Sequence, residues 1–449
     1  MNSFRPHFHY TAQRHWINDP NGLVFDGVKY HAFAQYNPMY PVVDEKHWSH
    51  AVSDDLIKWE HLSTAISPDS LGQTYSGSAV YDAGNTSGFG KDGHPPIVAM
   101  FTSHGEHEQQ SIAYSVDGVN FTMYAHNPVI PNVDIIDFRD PKIFRNDLKN
   151  CWSMVLAAGD RVMFYSSENL VDWAKTGEFE YRSDMFDGVW ECPDMLKFEL
   201  SDGTEKWVLI VSHNQSPERL GARTLYYVGG FDGDRFILDD GCTPKWFDNG
   251  FDNYASVSFH NAPNCEKIVL GWQQNWKYSD LIPGDEFKGM LTLPRVLSLK
   301  EMSGEYVICQ KPVTALGKYF GTPIKIDDEY VLNSDVFKLS VCAESDFELC
   351  LFNDDGEVLK VGRKGNELYC DRSGCVEFMD GYDKGALFLR SVAERVVDGN
   401  CELDIYFDVC GCEIFADGGS VAMTNLVYPK RKFDKIKAVG GDCSVSEII

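Results

Sequence analysis

The residues best suited to chemistry stand in segment 16–22, which reads Trp-Ile-Asn-Asp-Pro-Asn-Gly. Asp-Pro-Asn-Gly on its own predicts a β-turn, because proline fixes φ at about −65° and glycine accepts a positive φ. An aromatic ring, an amide and a carboxylate held on a rigid turn suit a sugar pocket. We therefore interpret Asp19 as a nucleophile, with Asn18 and the backbone amides of the turn favouring its anion.

Further candidates follow Asp19 at a regular interval. Gly77, Asp140, Glu191 and Asp252 open successive units, with spacings of 58, 63, 51 and 61 residues from one to the next. All-strand repeats of this length indicate the blades of a propeller, in which the first strand of each blade lines the central channel. Residues at one position in successive blades then converge on that channel. The spacing therefore predicts a single funnel that holds Asp19, Asp140, Glu191 and Asp252.

Carboxylates crowded into a partly dry funnel cannot share one pKa, so one stays ionised while another holds a proton. Glycosyl transfer needs such a pair. Glu191 lies between Trp190 and Cys192, and we expect this apolar setting to raise its pKa and make it the general acid. Asp140 follows Arg139, whose guanidinium should steady a carboxylate that binds sugar hydroxyls. Each motif alone also fits a structural role, Asp252 above all, but independent structural roles do not explain the shared position.

Composition excludes several classes of function. Against 40 Lys and Arg stand 67 Asp and Glu, a net charge of −27 that argues against a nucleic-acid partner and fits a neutral substrate. No apolar run approaches the length of a membrane span, and residues 1–7 lack the apolar core of a signal peptide. The 13 cysteines are odd in number and form no Cys-x-x-Cys pair. We therefore expect free thiols in a cytoplasmic protein.

The elements that position these residues are predicted to be strands throughout. Short β-branched and aromatic runs, such as 97–101 and 207–211, alternate with Gly, Asp, Asn and Pro clusters. A Ser-acidic-Trp/Phe pattern recurs around Ser53, Ser115 and Ser166, with a degenerate copy at 226–232. We predict an all-β protein: a five-bladed β-propeller over residues 1–310, a linker over 311–322 and a C-terminal β-sandwich over 323–449. The sandwich shows no charged catalytic cluster, so we expect it to pack or to contact sugar.

With these motifs in view, the sequence resembles family 32 of the glycoside hydrolases, which contains invertases, sucrose-6-phosphate hydrolases and exo-acting fructanases. The resemblance runs in order along nearly the whole chain. Its motifs are Arg-Pro-x-Phe-His-Tyr at 5–10, the segment 16–22, Gln-Tyr-Asn-Pro at 35–38, His-Trp-Ser-His-Ala-Val-Ser at 47–53, Tyr-Ser-Gly-Ser at 75–78, Phe-Arg-Asp-Pro-Lys at 138–142, Trp-Glu-Cys-Pro-Asp at 190–194, Gly-Trp-x-x-Asn-Trp at 271–276 and Leu-Pro-Arg at 293–295.

The resemblance implies that Asp19 is the nucleophile, Glu191 the acid/base and Asp140 a transition-state stabiliser that holds fructose hydroxyls. It also implies retention of configuration, with no metal and no cofactor. By the same carry-over, the residues assigned to the substrate pocket are Asn18, Gln35, Trp48, Tyr75, Ser76, Arg139, Asp252 and Trp272.

Three positions depart from the family's pattern. Val43 stands where a rim tryptophan is usual, Ser49 replaces a glycine, and Asn253 replaces a phenylalanine. These departures leave the expected chemistry intact, but they affect the subsite for the leaving group. We expect Val43 to leave the rim of the pocket wider and less aromatic.

We predict a retaining β-fructofuranosidase that releases terminal fructose from sucrose and short fructo-oligosaccharides. The alternatives are a sucrose-6-phosphate hydrolase, an exo-fructanase acting on inulin or levan, and a fructosyltransferase. A non-catalytic sugar-binding propeller is the alternative from a different class, although such a protein would typically have lost Asp19 or Glu191. The expected partner is a small sugar, with no nucleic acid and no membrane, and homo-oligomer formation stays open.

Overall fold

The computed structural model describes residues 4–183, 188–284 and 286–449. The first three residues of the stretch 1–7, used above to argue against a signal peptide, lie outside this range. The described chain is built of strands joined by turns and short 3₁₀ helices. The prediction of an all-β protein is confirmed.

Five sheets follow one another along the N-terminal part of the described chain. The first contains β1 (His15–Phe25), β2 (Tyr30–Asn37), β3 (His47–Ser53) and β4 (Glu60–His61). The second contains β5 (Gln73–Tyr81), β6 (Ile97–His104), β7 (Glu108–Ser115) and β8 (Thr122–Met123). The third contains β9 (Phe138–Asn146), β10 (Cys151–Ala158), β11 (Arg161–Ser167) and β12 (Ala174–Glu180).

The fourth and fifth sheets complete the propeller. The fourth contains β13 (Val189–Glu199), β14 (Glu205–Asn214), β15 (Ala222–Phe231), β16 (Phe236–Leu238) and β17 (Lys245–Trp246). The fifth contains β18 (Tyr254–Ser258), β19 (Lys267–Trp272), β21 (Arg295–Met302) and β22 (Glu305–Pro312). The short β20 (Phe287–Lys288) returns to pair in parallel with β1, the first strand of the first sheet.

Two six-stranded sheets form the C-terminal sandwich. One runs β23 (Ile324–Ile326), β34 (Asp442–Glu447), β25 (Val336–Ala343), β30 (Cys401–Asp408), β31 (Gly411–Ala416) and β32 (Val421–Leu426). The other runs β24 (Glu329–Val331), β33 (Lys435–Val439), β26 (Phe347–Phe352), β27 (Val358–Lys364), β28 (Glu367–Gly374) and β29 (Arg390–Glu394). Alternate residues of both sheets, such as Leu339 and Leu349, are fully buried in one core.

The 3₁₀ helices are short connectors. They span Pro217–Arg219, Pro263–Cys265, Ser279–Leu281, Thr314–Tyr319, Glu377–Met379, Gly385–Phe388 and Asp417–Gly419. None of the described helices is long and apolar enough to cross a membrane.

The repeated serine pattern marks the turn that follows the third strand of a sheet. Ser53, Ser115 and Ser167 each end such a strand, and an Asp or Asn two residues later accepts hydrogen bonds from backbone N–H groups of the turn. In the third sheet the equivalent residue is therefore Ser167, one position after the Ser166 used for the spacing. These side chains close the hairpin locally, which is why the pattern recurs once per blade.

The first strand of every propeller sheet contains an extra residue relative to its partner strand, and β1 contains a second one between Asn21 and Val24. The register shifts fall at 17–20, 74–77, 139–142, 191–194 and 254–257. We call these shifts the inner bulges. A bulge bends a strand and re-aims its side chains, and Asp140 and Cys192 adopt positive φ angles of 65° and 45° at two of them. The inner bulges repeat at the interval that the sequence shows, and they turn polar residues toward the propeller axis.

A buried ion pair joins the propeller to the sandwich. Arg372 of β28 places Nη1 2.6 Å from Asp252 Oδ2, and both side chains are fully buried. Tyr278 donates to Asp252 Oδ1 at 2.6 Å, and the backbone N–H of Leu426 donates to Oδ2 at 2.7 Å. The assignment of Asp252 to the substrate pocket is therefore wrong. Asp252 lies ahead of β18 and faces the sandwich, so both carboxylate oxygens are already engaged.

We expect Arg372→Met to lower the free energy of unfolding by about 3 kcal/mol, because it leaves the Asp252 carboxylate buried without its cation. Urea unfolding followed by tryptophan fluorescence measures the change. The matched control is Arg390→Met, which breaks a half-exposed pair with Glu367 in the same sheet and should cost less than about 1 kcal/mol. Equal losses in the two variants would show that the buried pair does not hold the domains together.

Candidate active site

Each of the five sheets sends one polar side chain from its inner bulge into a common funnel. The five residues are Asp19, Ser76, Asp140, Glu191 and Tyr254. Two pairs of them are in direct contact: Ser76 donates to Asp19 Oδ2 at 3.0 Å, and the Tyr254 hydroxyl donates to Glu191 Oε2. The Cys192 thiol lies 3.7 Å from Asp19 Oδ2 and 3.6 Å from Asp140 Oδ2. The structure thus brings the three predicted carboxylates together.

Asp19 lies within a strand, and the prediction of a β-turn at 19–22 is wrong. The whole segment belongs to β1, whose two register shifts absorb the proline and the glycine. Gly22 has a φ of +57°, and a Cβ there would meet the rings of Phe33 and Trp48. Burial and the nearby Glu191 raise the pKa of Asp19, whereas the Asn18 amide, the hydrogen bond from Ser76 and the charge of Lys46 oppose the shift. The setting of Asp19 is therefore drier than expected, and its anion depends on those donors.

Asp140 is held by the backbone on two sides. Its own N–H donates to Thr102 Oγ1 at 3.0 Å, and the N–H of Cys192 donates to its Oδ2 at 2.9 Å. Burial, with the charges of Glu191 and Asp19, raises the pKa of Asp140 to about 8, although the Arg139 guanidinium opposes the shift. At neutral pH this carboxyl group therefore favours its protonated form, which can both donate and accept hydrogen bonds.

Glu191 occupies a polar setting, and the expected apolar pocket is not found. Its Oε1 accepts from Arg139 Nη2 at 3.0 Å, and its Oε2 accepts from the hydroxyl of Tyr254. Trp190 lies on the other face of β13 and packs on Tyr227 in the core between sheets. Successive side chains of a strand point to opposite faces, so the neighbouring tryptophan does not surround the carboxylate.

Arg139 anchors a chain of charges at the funnel. Its Nη1 lies 3.1 Å from Glu108 Oε1 and 2.6 Å from Asp137 Oδ1, while Nη2 reaches Glu191. The guanidinium therefore makes its hydrogen bonds with these three carboxylates and steadies Asp140 through charge alone. This places Arg139 where it fixes the orientation of Glu191.

Amide side chains complete the floor of the funnel. Gln35 donates from Nε2 to Ser76 Oγ at 2.6 Å, and the Ser76 hydroxyl donates in turn to Asp19 Oδ2. Gln35 Oε1 and Asp19 Oδ1 are buried and have no hydrogen-bond partner in the structure. Buried polar atoms are normally satisfied, so these two oxygens are available to the hydroxyl groups of a sugar.

Aromatic residues divide between the funnel and the core. Trp16, Trp272 and Trp276 form a cluster with ring centroids 4.5–6.2 Å apart, beside Asn18. Trp48, by contrast, is fully buried against Phe33 and Phe101, and its Nε1 donates to a backbone carbonyl. The assignment of Trp48 to the substrate pocket is wrong, because its ring packs in the core and its Nε1 is already engaged, whereas the Nε1 of the equally buried Trp272 has no hydrogen-bond partner in the structure.

The rim on the side of the second sheet carries a second aromatic pair. Tyr75 stacks on His104 with centroids 4.1 Å apart and planes 5° apart. His104 Nδ1 lies 3.1 Å from Glu108, which holds Arg139. On the side of the first sheet, Val43 is 41% exposed in the loop ahead of β3. The substituted rim position is thus a small, solvent-facing side chain.

Comparison with known families agrees with this arrangement. Residues 9–312 match the model of the glycosyl hydrolases family 32 N-terminal domain, and residues 331–448 match the family 32 C-terminal model. The chain belongs to glycoside hydrolase family 32. It is 37% identical to a levanase of Bacillus subtilis over 95% of this chain and 67% of that protein. It is 36% identical to an extracellular exo-inulinase of Aspergillus awamori, over 95% of this chain and 90% of that protein.

A solved structure shows the same architecture. The crystal structure of the exo-inulinase from Aspergillus awamori superposes with a TM-score of 0.92 at 29% identity, covering 100% of this chain and 99% of that one. The predicted order of a propeller followed by a β-sandwich is confirmed. As a family 32 member, the protein is a glycoside hydrolase.

Two further residues of this family 32 hydrolase touch the candidate catalytic groups and were not assigned from the sequence. Tyr254 holds Glu191, and Cys192 bridges Asp19 and Asp140. Tyr254 stands two residues after Asp252, and the repeat interval alone could not separate them. In the described residues, no three His, Cys, Asp or Glu side chains form a group that could hold a metal ion.

The raised pKa of Asp140 predicts that Asp140→Asn stabilises the hydrolase at alkaline pH. The pKa is about 8 in the folded chain and about 4 when unfolded. Its contribution to stability is thus present in full below pH ~4 and is lost as pH rises toward 8. The variant escapes this loss, so its melting temperature should exceed that of the wild type at pH 8 and match it near pH 4. The difference should grow with pH to at most about 5 kcal/mol at pH 8, from four pKa units at about 1.4 kcal/mol each; a constant offset at both pH values would contradict the raised pKa.

Proposed function

We propose that the protein is a retaining β-fructofuranosidase that releases terminal fructose from sucrose and short fructo-oligosaccharides. The observation that carries this proposal is the placement of Asp19 and Glu191 in one funnel. The two carboxylates come from different sheets and interact electrostatically. Retaining glycosidases use such a pair, one group as nucleophile and the other as acid and then base.

In the first step, Asp19 attacks the anomeric carbon of the terminal fructose and forms a covalent fructosyl-enzyme. Glu191 transfers its proton to the glycosidic oxygen as that bond breaks, and the alcohol departs. Arg139 and Tyr254 hold the Glu191 carboxylate in place during this transfer. In the second step, Glu191 takes a proton from water, the hydroxide attacks the same carbon, and Asp19 is released as its anion.

Asp140 is the residue proposed to hold the reacting sugar. The Cys192 N–H donates to this carboxyl group and Thr102 Oγ1 accepts from the Asp140 backbone N–H. The carboxyl group therefore has a defined direction, and it can exchange hydrogen bonds with two adjacent hydroxyls. Gln35 Oε1, which lacks a partner, offers a further acceptor. Such contacts stabilise the transition state when they strengthen as positive charge develops on the ring.

An exo-fructanase acting on levan or inulin is the second candidate. The relatives named above are a levanase and an exo-inulinase. Val43, small and exposed at the rim, leaves space beyond the terminal sugar that a longer chain would occupy. Both candidates share the same chemistry and differ in the leaving group.

Substrate preference is tested with a panel of sucrose, sucrose 6-phosphate, kestose, inulin and levan. Free fructose is quantified for each substrate, and oligosaccharide products report transfer to a sugar acceptor. Proton NMR in the first minute identifies the anomer released, and β-fructofuranose is expected from a retaining enzyme. A Glu180→Gln variant, altered at an exposed carboxylate of β12, is the control. Absence of fructose release from every substrate would leave a sugar-binding propeller as the function.

A further inference from the structure

A buried lysine stands beside the candidate nucleophile and is not used in the chemistry described above. Lys46 directly precedes β3 and is 6% exposed. Its backbone is fixed on both sides, since its N–H donates to Gln73 Oε1 and its carbonyl accepts from the N–H of Thr74, each at 3.0 Å. A buried ammonium is costly to hold and is retained where it has partners. The side chain of Lys46 therefore needs a function inside the funnel.

The Lys46 ammonium and the Trp16 indole together fix which way the Asn18 amide faces. Asn18 Oδ1 accepts from Lys46 Nζ at 3.0 Å and from Trp16 Nε1 at 2.9 Å. An amide accepts hydrogen bonds through its oxygen alone, so two converging donors settle its orientation. The Nδ2 group then points away from them, and the Asn18 amide helps to lower the pKa of Asp19 against burial.

The ammonium also supplies positive charge to a funnel that is mainly acidic. It sits 6.0 Å from the ring centroids of Trp16 and Trp276, with Asp19, Asp44 and Asp280 as the acidic groups that act on it. Arg139, a second cation of the site, makes its ion pairs with Glu191, Glu108 and Asp137. Lys46 is thus the cation placed on the Asp19 side of the funnel.

Several titratable groups act on Asp19 from the surrounding elements. They are Lys46 ahead of β3, Asp140 of β9, Glu191 and Cys192 of β13, and Tyr254 of β18. Glu191 raises the pKa of Asp19, whereas Lys46 lowers it. The charge of Lys46 therefore opposes the effect of crowding among the carboxylates.

We propose that Lys46 is a positioning residue for the nucleophile: it holds the Asn18 amide next to Asp19 in the chain and places a buried positive charge on that side of the funnel. This inference rests on the proposed role of Asp19. The two contributions are separable, because one needs an N–H donor at position 46 and the other needs a positive charge.

Three substitutions separate donor from charge. Lys46→Met removes both, Lys46→Gln keeps an N–H donor for Asn18 without charge, and Lys46→Arg keeps both. The readout is kcat/KM for sucrose as a function of pH, whose acidic limb reports ionisation of the nucleophile in the free enzyme. Lys29→Met, which removes an exposed surface lysine, controls for the change in net charge.

We expect the acidic limb to move up by about one pH unit in Lys46→Met and Lys46→Gln, and to return to its wild-type position in Lys46→Arg. The value of kcat at the optimum should fall about tenfold in Lys46→Met and recover in Lys46→Gln. A purely structural role would lower kcat in all variants without moving the limb. An unmoved limb in both uncharged variants overturns the proposal, as does a rise in KM alone.

A fallback comparison and a separate trapping experiment keep the result unambiguous. If Lys46→Met does not fold, the comparison of Lys46→Gln with Lys46→Arg carries the same test of charge, since both keep an N–H donor at position 46. The proposed nucleophile is tested separately, by trapping the fructosyl-enzyme and mapping the labelled peptide. A label on a residue other than Asp19 refutes the proposed function, whereas a label on Asp19 with an unmoved limb refutes the role of Lys46 alone.

Discussion

Asp19→Asn is expected to lower kcat for sucrose by about 10⁴-fold, because the amide cannot form the covalent fructosyl-enzyme. The substitution keeps the size of the side chain, and its oxygen still accepts the hydrogen bond that Ser76 donates at 3.0 Å. Burial already disfavours the anion of Asp19, so a neutral amide should fold at least as stably as the wild type. Activity and stability therefore change in opposite directions.

Initial rates and melting temperature are measured on the same preparation of Asp19→Asn. The control is Asp160→Asn, since Asp160 is 59% exposed at its side chain and lies outside the funnel. Retention of more than about a tenth of wild-type kcat would remove Asp19 from the mechanism. A large drop in melting temperature would instead show that the loss of activity results from a destabilised fold and not from the missing nucleophile.

Glu191→Ala is expected to lower kcat for sucrose by about 10³-fold, because general acid and base catalysis are both lost. A leaving group that departs without a proton bypasses the first role, so an activated aryl β-fructofuranoside should be cleaved far better, relative to wild type. Added azide bypasses the second role, since the anion attacks the Asp19-bound sugar without help from a base. The product should be β-fructosyl azide, with the configuration retained.

Product analysis by NMR distinguishes the outcomes for Glu191→Ala. Glu178→Ala, at a half-exposed carboxylate of β12, is the control and should show no response to azide. If azide does not raise the rate of cleavage of the activated substrate, or if the azide product has inverted configuration, the acid/base role belongs to another residue. Asp140 would then be tested next, because its pKa of about 8 leaves it a proton to donate at neutral pH.

Much of the fold and the centre of the site followed from repetition in the sequence. The interval between Asp19, Asp140 and Glu191 predicted that they meet, since residues at one position of successive blades face one axis. The alternation of buried and exposed residues likewise predicted the sandwich. Both inferences depend on periodicity, which can be recognised along the sequence without knowing which residues touch in the fold.

The errors occurred where a residue's direction depends on contacts across the fold. Asp252 matched the interval, but it precedes β18 by two residues and pairs with Arg372 of the other domain. Trp48 belongs to the His-Trp-Ser-His-Ala-Val-Ser motif at 47–53, yet its ring fills a space between Phe33 and Phe101. The sequence did not indicate Lys46 as a site residue, because its proposed role depends on a contact with Asn18, 28 residues earlier in the chain. The spacing of residues along the sequence contains no information about any of these three contacts.

A strand with an inner bulge should tolerate a change of length poorly. In β13 the span 191–194 pairs with 210–212 of β14, so one residue has no opposite neighbour. Deleting that residue would restore a regular ladder in which Glu191 still pairs with Ser212, but it would remove the local bend that aims Glu191 and Cys192 at the funnel. For these five strands, an insertion or deletion of a single residue is a more severe change than most substitutions.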